Sequence, residues 1–222
     1  MPGDLTEFAA KQQRLFDAAT SPGQRKARGH FGTPTSIAEF MAGMLTEIPQ
    51  RLYSVLDPGA GVGTLTAAIC QRVLSMKAAR HLKFELWEND PRIEPYLRGT
   101  LDYCRMALRD AGHRMDFTIR EDDFILANAK SPLFDSRFDA EFDAAILNPP
   151  YFKLRKETEH ARMMPHVVHG QPNIYALFMA AAADKLASGG TSLCDGIHRL
   201  HWVQEIRVRN RLGIRSMDRR IP

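Results

Sequence analysis

The sequence predicts an α/β fold: a parallel central sheet with helices on both faces. Three observations predict it. Short apolar runs alternate with helical stretches between residues 53 and 190, the rhythm of strand–helix–strand units. A glycine-rich turn, DPGAGVG (57–63), follows the first of these runs and opens a helix. The fourth run ends in Asn148-Pro149-Pro150-Tyr151, which delivers polar and aromatic groups to a strand's C-terminal edge, where open sheets of this class bind ligands. With 222 residues, 44% hydrophobic and 25% charged, the chain is long and apolar enough for one domain with a sizeable core.

Taken in order, residues 4–20 read as a helix, with Leu5, Phe8, Leu15 and Phe16 roughly on one face. SPGQRKARGHFG is a basic, glycine-punctuated loop. TPTSIAEFMAGMLTEI reads as a helix that Thr33 or Thr35 caps, with Pro34 in its first turn. Strands are expected at 53–57, 81–88, 115–121 and 142–147, and helices after DPGAGVG, at 91–112 and at 173–186. After Gly190 the pattern fails. TSLCDGIHRLHWVQEIRVRNRLGIRSMDRRIP holds no Val/Ile-rich run, and a basic helix from about Trp202 to Leu212 is the one element it suggests. The chain therefore divides into residues 1–28 (N-terminal helix and basic loop), 29–190 (the α/β domain) and 191–222 (an atypical basic tail).

Several function classes are excluded. No run approaches the ~18 apolar residues of a membrane span, and no hydrophobic signal core opens the chain. A soluble, cytoplasmic protein is expected. Cys70, Cys104 and Cys194 are few and far apart, which implies neither a disulfide framework nor a zinc site. His160, His166 and His169 lack metal-ligand spacing, so no metal is expected. The net charge of +4 resides in the tail: residues 197–222 carry +5, leaving −1 on the rest. Bulk charge thus gives no nucleic-acid footprint.

Four constellations carry chemistry. In DPGAGVG, glycines permit a tight turn and close backbone approach to a ligand at a helix N-terminus. No Gly-Lys-Ser/Thr follows, so it is not a P-loop. Glu88 ends the second strand, 25 residues after Gly63. Alone it reads as a solvated residue or a cap; coupled to the glycine turn it suits a pair of ribose hydroxyls. Asp122-Asp123-Phe124 either receives an adenine amine and covers its ring, or is a helix N-cap with a core phenylalanine. Asn148-Pro149-Pro150-Tyr151 is the most specific. The prolines remove two amide donors and leave acceptors. The Asn148 side-chain oxygen and the Pro149 carbonyl then suit a planar NH₂ group whose ring stacks on Tyr151. Holding both amine hydrogens favours the tetrahedral nitrogen of a transfer transition state. In the loop that follows, Lys153, Arg155, Lys156 and Arg162 either touch phosphates or are simply solvated.

These residues resemble the S-adenosylmethionine-dependent amino-methyltransferases. More narrowly, they resemble adenine-N6 DNA methyltransferases of the TaqI and Eco57I type, whose N-terminal cofactor motif precedes the glycine loop. GHFGTPTSIAEFM (29–41), DPGAGVG, WEND, DDF, ILNPPYFKL and QPNIYALF occur in the family's order. The resemblance implies a Rossmann-like methyltransferase fold and methyl transfer to the N6 amine of adenine in a restriction-modification or related system. It implies Thr33, Pro34, Asp57, Gly59, Gly61, Gly63, Glu88, Asp123 and Phe124 at S-adenosylmethionine. It implies Asn148, Pro149, Pro150 and Tyr151 at a target base flipped out of double-stranded DNA.

The tail departs from the family. The further strands and a DNA-recognition domain are not legible, so a C-terminally truncated or frame-shifted chain is expected, or one completed by a second chain. The open side of the fourth strand would then be an exposed edge, with marginal stability. Three other functions stay open: a glutamine N5-methyltransferase of release-factor type, an RNA base methyltransferase, and a degenerate fragment that only binds.

Overall fold

The computed structural model describes residues 3–21, 23, 32–45, 47–128, 142–150, 152–165, 167–168, 171–196, 202–209 and 213–220. Tyr151, His166, His169, and residues 24–31 with the Gly29–Phe31 part of the N-terminal motif, lie outside them.

Helix α1 (Leu5–Ala19) starts where the Asp4 carboxylate accepts the Thr6 and Glu7 amides. Leu5, Ala9 and Phe16 face the core, while Leu15 is exposed. Helix α2 (Thr35–Met44) follows Pro34, which holds the N-cap position without any side-chain cap. The capping role expected of Thr33 or Thr35 is therefore absent, and Thr33 is used elsewhere. The main units then follow: β1 (Leu52–Pro58), α3 (Thr64–Leu74), β2 (His81–Trp87), α4 (Glu94–Asp110), β3 (Arg114–Arg120), α5 (Phe124–Asn128) and β4 (Phe142–Leu147). After β4 come α6 (Glu159–Met163), α7 (Ile174–Asp184) and β5 (Leu186–Gly196), then β6 (Trp202–Arg209) and β7 (Gly213–Arg220).

The strands form one sheet in the order β3-β2-β1-β4-β5-β6-β7. β1 to β5 are parallel, as the alternation predicted, and β6 and β7 run antiparallel to their neighbours. The order reverses between β1 and β4, so the crevice of this fold opens at their C-terminal ends. One core cluster packs α1–α4 on the sheet, and a second gathers Trp87, Phe124, Leu154, Met164 and Phe178 under α5–α7. The three cysteines are buried. Among the described residues no helix is long and apolar enough to cross a membrane.

The reading of the tail is corrected twice. The sheet does not stop near residue 190: Thr191–Cys194 pairs with Ala144–Leu147 as a fifth parallel strand. The edge expected on β4 is thus covered. The strand was hidden by its register shift. Phe142 pairs with Leu186, but Ala144 pairs with Thr191, so residues 187–190 bulge out. Gly190 lies in this bulge, where a Cβ would come 2.9 Å from the Ala187 carbonyl oxygen and 3.1 Å from that of Phe142. The Ser188-Gly189-Gly190 run after the helix is part of this strand. The buried positions that follow are Ser192, Leu193 and Cys194 rather than Val or Ile. Nor does Trp202–Leu212 form a helix: Trp202–Arg209 is a strand, paired with β5 and β7. Its Val203, Ile206 and Val208 suit a strand, and the free side of β5 offers the backbone partners.

Candidate functional site

A cavity of about 230 Å³ lies at the C-terminal ends of β1, β2 and β4. Of the residues singled out from the sequence, Thr33, Gly59, Gly61, Glu88, Asp123, Phe124, Asn148 and Pro150 line it. Pro34, Asp57, Gly63 and Pro149 do not. Pro34 is at the start of α2, and Pro149 is buried beside the tetrad's lining residues.

The glycine turn is built by the end of β2. Gly59 and Ala60 donate their amides to the Trp87 carbonyl at 2.8 and 3.0 Å, and Gly61 donates to Glu88 Oε2 at 3.0 Å. These amides serve the turn rather than facing a ligand. Glu88 is held on both sides, since its Oε1 accepts the Asp90 amide at 2.9 Å. This clamp orients the carboxylate. Gly63 precedes α3 at φ 83°, and a Cβ there would lie 3.0 Å from Leu97 Cδ1. It brings α3 close to α4, a packing role.

Asp57 lies beneath the turn, fully buried. Thr66 Oγ1 donates to its Oδ2 at 2.7 Å, and Oδ1 has no hydrogen-bond partner among the described residues. Burial pushes its carboxyl up to about 7; the Thr66 bond opposes this and the nearby Glu88 adds to it.

Asp123 takes the helix-capping position and Phe124 a buried one, and both also line the cavity. Asp123 Oδ1 accepts the Leu126 amide at 2.9 Å, capping α5, while Asp123 also faces the cavity. Phe124 is buried and packs within 5.5 Å of both Trp87 and Phe178, giving the cavity an aromatic wall. Trp87, Phe178 and His160 line the cavity without having been singled out for it. His160 Nε2 is 2.9 Å from Asp123 Oδ2. The pair is separated by 37 residues, which no local spacing reveals. Phe178 lies in the PNIYALF helix, where only its apolar position was visible.

Asn148 donates its Nδ2 to Thr33 Oγ1 at 3.0 Å. This joins the end of β4 to the segment before α2 across 115 residues. The amide nitrogen is thus turned toward Thr33 and Oδ1 away from it. The backbone after the tetrad is pinned by Leu154 N–H to the Pro172 carbonyl (2.8 Å) and Ile174 N–H to the Phe152 carbonyl (3.2 Å). The QPN segment before α7 is thus the partner that holds the tetrad's loop.

The cavity's charge selects among ligands. Glu88, Asp122 and Asp123 line it, and no lysine or arginine does among the described residues. Phosphates are disfavoured there. A planar, hydroxyl-bearing and positively charged ligand fits the acids and the aromatic wall.

A family profile described as N-6 DNA Methylase matches residues 16–193. The chain is 34% identical over 200 residues to Type II methyltransferase M.BsuBI of Bacillus subtilis, covering 85% of this chain and 38% of that protein. It is 29% identical over 179 residues to Type II methyltransferase M.PstI of Providencia stuartii, covering 78% and 35%. The chain thus spans little more than a third of the length of these curated relatives. Among solved structures, a protein described as a class I S-adenosylmethionine-dependent methyltransferase from Listeria monocytogenes aligns with a TM-score of 0.59 at 18% identity, over 86% of this chain and 54% of that one. A protein described as the modification subunit of a type I restriction enzyme from Vibrio vulnificus aligns with a TM-score of 0.52 at 20% identity, over 82% and 37%. These two show the fold, which is the Rossmann-like methyltransferase fold expected from the motifs. With four-fifths of its length, including every strand from β1 to β4, inside the matched span, the chain belongs to the N-6 DNA methylase family.

Proposed function

We propose that the chain transfers a methyl group from S-adenosylmethionine to the exocyclic N6 amine of adenine in DNA, as the methyltransferase of a type II restriction–modification system. The observation that carries this reading is the meeting of Asn148 with Glu88 and Asp123 around one acidic, aromatic-walled cavity at the mouth of the glycine turn. Membership of the N-6 DNA methylase family supports it.

Bound in the cavity, the cofactor supplies an electrophilic sulfonium methyl. Glu88, oriented by the Gly61 and Asp90 amides, accepts from the ribose hydroxyls. Asp123 accepts from the cofactor's adenine amine, and Phe124 covers the ring face. Asp57 and the turn of Gly59, Gly61 and Gly63 shape the methionine end, together with Thr33 and Pro34. On the other side, Asn148 Oδ1 and the Pro149 carbonyl accept the two hydrogens of the target amine. Pro150 stiffens the backbone and Tyr151 stacks on the base. Holding those hydrogens draws the nitrogen lone pair out of conjugation and aims it at the methyl. The N–CH₃ bond would form as the S–CH₃ bond breaks, leaving S-adenosylhomocysteine, and the amine would then lose its extra proton to water. Residues 29–190 supply every contact in this scheme. The base must leave the duplex to reach the site, and a second chain is the proposed source of the target recognition that this scheme lacks.

The test is methyl transfer from labelled S-adenosylmethionine to unmethylated DNA, RNA and a glutamine-containing peptide, with and without the protein that recognises the DNA sequence. DNA labelled at adenine N6 is the expected result. Label in RNA or peptide alone overturns the substrate assignment. Asn148→Ala is expected to retain cofactor affinity within about 2-fold while transfer falls by at least about 10³-fold.

A further inference from the structure

The segment after the tetrad is tied to the cofactor side of the cavity by one side chain. His160 sits on α6, 9 residues beyond Tyr151. Its neighbours Ala161 and Met164 are buried, the latter in the second core cluster with Phe124 and Phe178. His160 itself lines the cavity and meets Asp123 Oδ2 at 2.9 Å, with side-chain exposures of 24% and 30%. The other Asp123 oxygen is held by the Leu126 amide. A carboxylate can only accept, so the imidazole Nε2 is the donor. Both oxygens of Asp123 are thereby oriented, one from its own helix and one from the loop that carries the target-base residues.

We infer that His160 is a positioning residue that latches the 152–165 segment onto the adenine end of the cofactor site. Cofactor binding and the ordering of the target-base loop are then coupled. The inference rests on Asp123 contacting the cofactor's adenine. An adenine amine that engages Asp123 fixes the carboxylate, the fixed carboxylate holds His160, and His160 holds α6 and the backbone leading back to Phe152. By reciprocity, an ordered loop raises cofactor affinity by the same factor. No proton transfer is involved. A histidine with a merely structural role would instead stabilise the fold without responding to the cofactor.

Lys153, Arg155, Lys156 and Arg162 are exposed in this segment and give trypsin sites that report on it directly. The full chain is probed with S-adenosylhomocysteine, so no methyl transfer is needed. In the wild type, saturating ligand is expected to slow cleavage at these sites by at least about 5-fold. In His160→Ala, ligand affinity is expected to fall about 10-fold and protection to fall below about 2-fold, with an unchanged melting temperature. His160→Gln, whose amide nitrogen stands in for Nε2, is expected to recover both within about 3-fold. In assays with DNA, the His160→Ala defect is expected in the cofactor KM, with kcat within about 2-fold at saturation. Equal affinity and protection in His160→Ala and wild type overturns the latch. So does a His160→Gln variant no better than His160→Ala. A wild type that does not bind the ligand overturns the cofactor reading itself, an outcome distinct from either.

Discussion

The two walls of the cavity are built differently. On one side β1 and β2 pair through seven consecutive residues, Leu52↔His81 to Pro58↔Trp87, and the glycine turn is bonded to the end of that ladder. On the other side β1 and β4 pair through two, Val55↔Ala144 and Leu56↔Ala145. There the tetrad leaves the sheet and is held by contacts over long sequence separations: Asn148 to Thr33, Leu154 to Pro172, Phe152 to Ile174. The difference arises from the reversal of strand order, which parts the loops after β1 and β4 and opens the crevice. It teaches that the proposed cofactor wall is pre-formed by backbone bonds. The proposed target wall is held by two backbone bonds to the QPN segment and by one side-chain bond, Asn148 to Thr33, that a substitution can remove. Damage to the first should therefore reach binding and stability together. Damage to the second should reach transfer alone.

The strongest way to break this comparison is Glu88→Ala. It strands the Gly61 and Asp90 amides that the carboxylate now accepts, and it removes the proposed ribose acceptor. Two hydrogen bonds to a charged group are at stake, so cofactor affinity is expected to fall about 100-fold, measured by calorimetry. The melting temperature should fall with it, whereas Asn148→Ala should leave it unchanged. An Asn148→Ala variant that unfolds, beside a Glu88→Ala variant that binds normally, would reverse the assignment of the two walls.

The legibility of the sequence follows the same division. β2, β3 and β4 were read to within a residue or two because each is an apolar run bounded by turn signals. The glycine turn is legible because positive φ, 83° at Gly63, favours glycine and so marks the residue type itself. What failed depends on partners distant in sequence. β5 is bulged at residues 187–190 and carries Ser192 and Cys194 at buried positions, so its strand character comes from β4 rather than from its own composition. Thr33 reads as one of two candidate helix caps and, by the resemblance, as a cofactor neighbour, yet its hydroxyl accepts from Asn148. His160 was weighed only as a metal ligand, because Asp123 is far from it in the chain.

A second prediction sharpens the picture of the pre-formed wall through its buried acid. The Asp57 carboxyl is raised from 3.8 to about 7, chiefly by burial. Between those values the folded chain holds a proton that the unfolded chain has lost. The associated stability is therefore complete below pH 3.8 and disappears as pH rises through about 7. Chemical denaturation should show a loss of about 1 kcal/mol from this group between pH 6 and pH 8. Asp57→Asn keeps an acceptor for Thr66 and cannot ionise, so its stability should be flatter over the same range. An equally steep profile in Asp57→Asn would assign the slope to another group.

The smallest expected effect falls on the bond that joins the two walls. Thr33→Val preserves shape and removes the hydroxyl that accepts from Asn148 Nδ2. Two roles for Thr33 are in play, one at the cofactor's methionine end and one behind the target-base asparagine, and they predict different kinetics. If Thr33 mainly orients Asn148, the amide loses its fixed sense and kcat falls about 4-fold, with the cofactor KM within about 2-fold. If Thr33 mainly touches the cofactor, KM rises and kcat at saturation is kept. The 3.0 Å bond favours the first outcome, because it is the contact Thr33 makes to Asn148 across 115 residues. Steady-state kinetics with DNA and varied cofactor separates the two, and a pure KM effect would move Thr33 from the target wall to the cofactor wall.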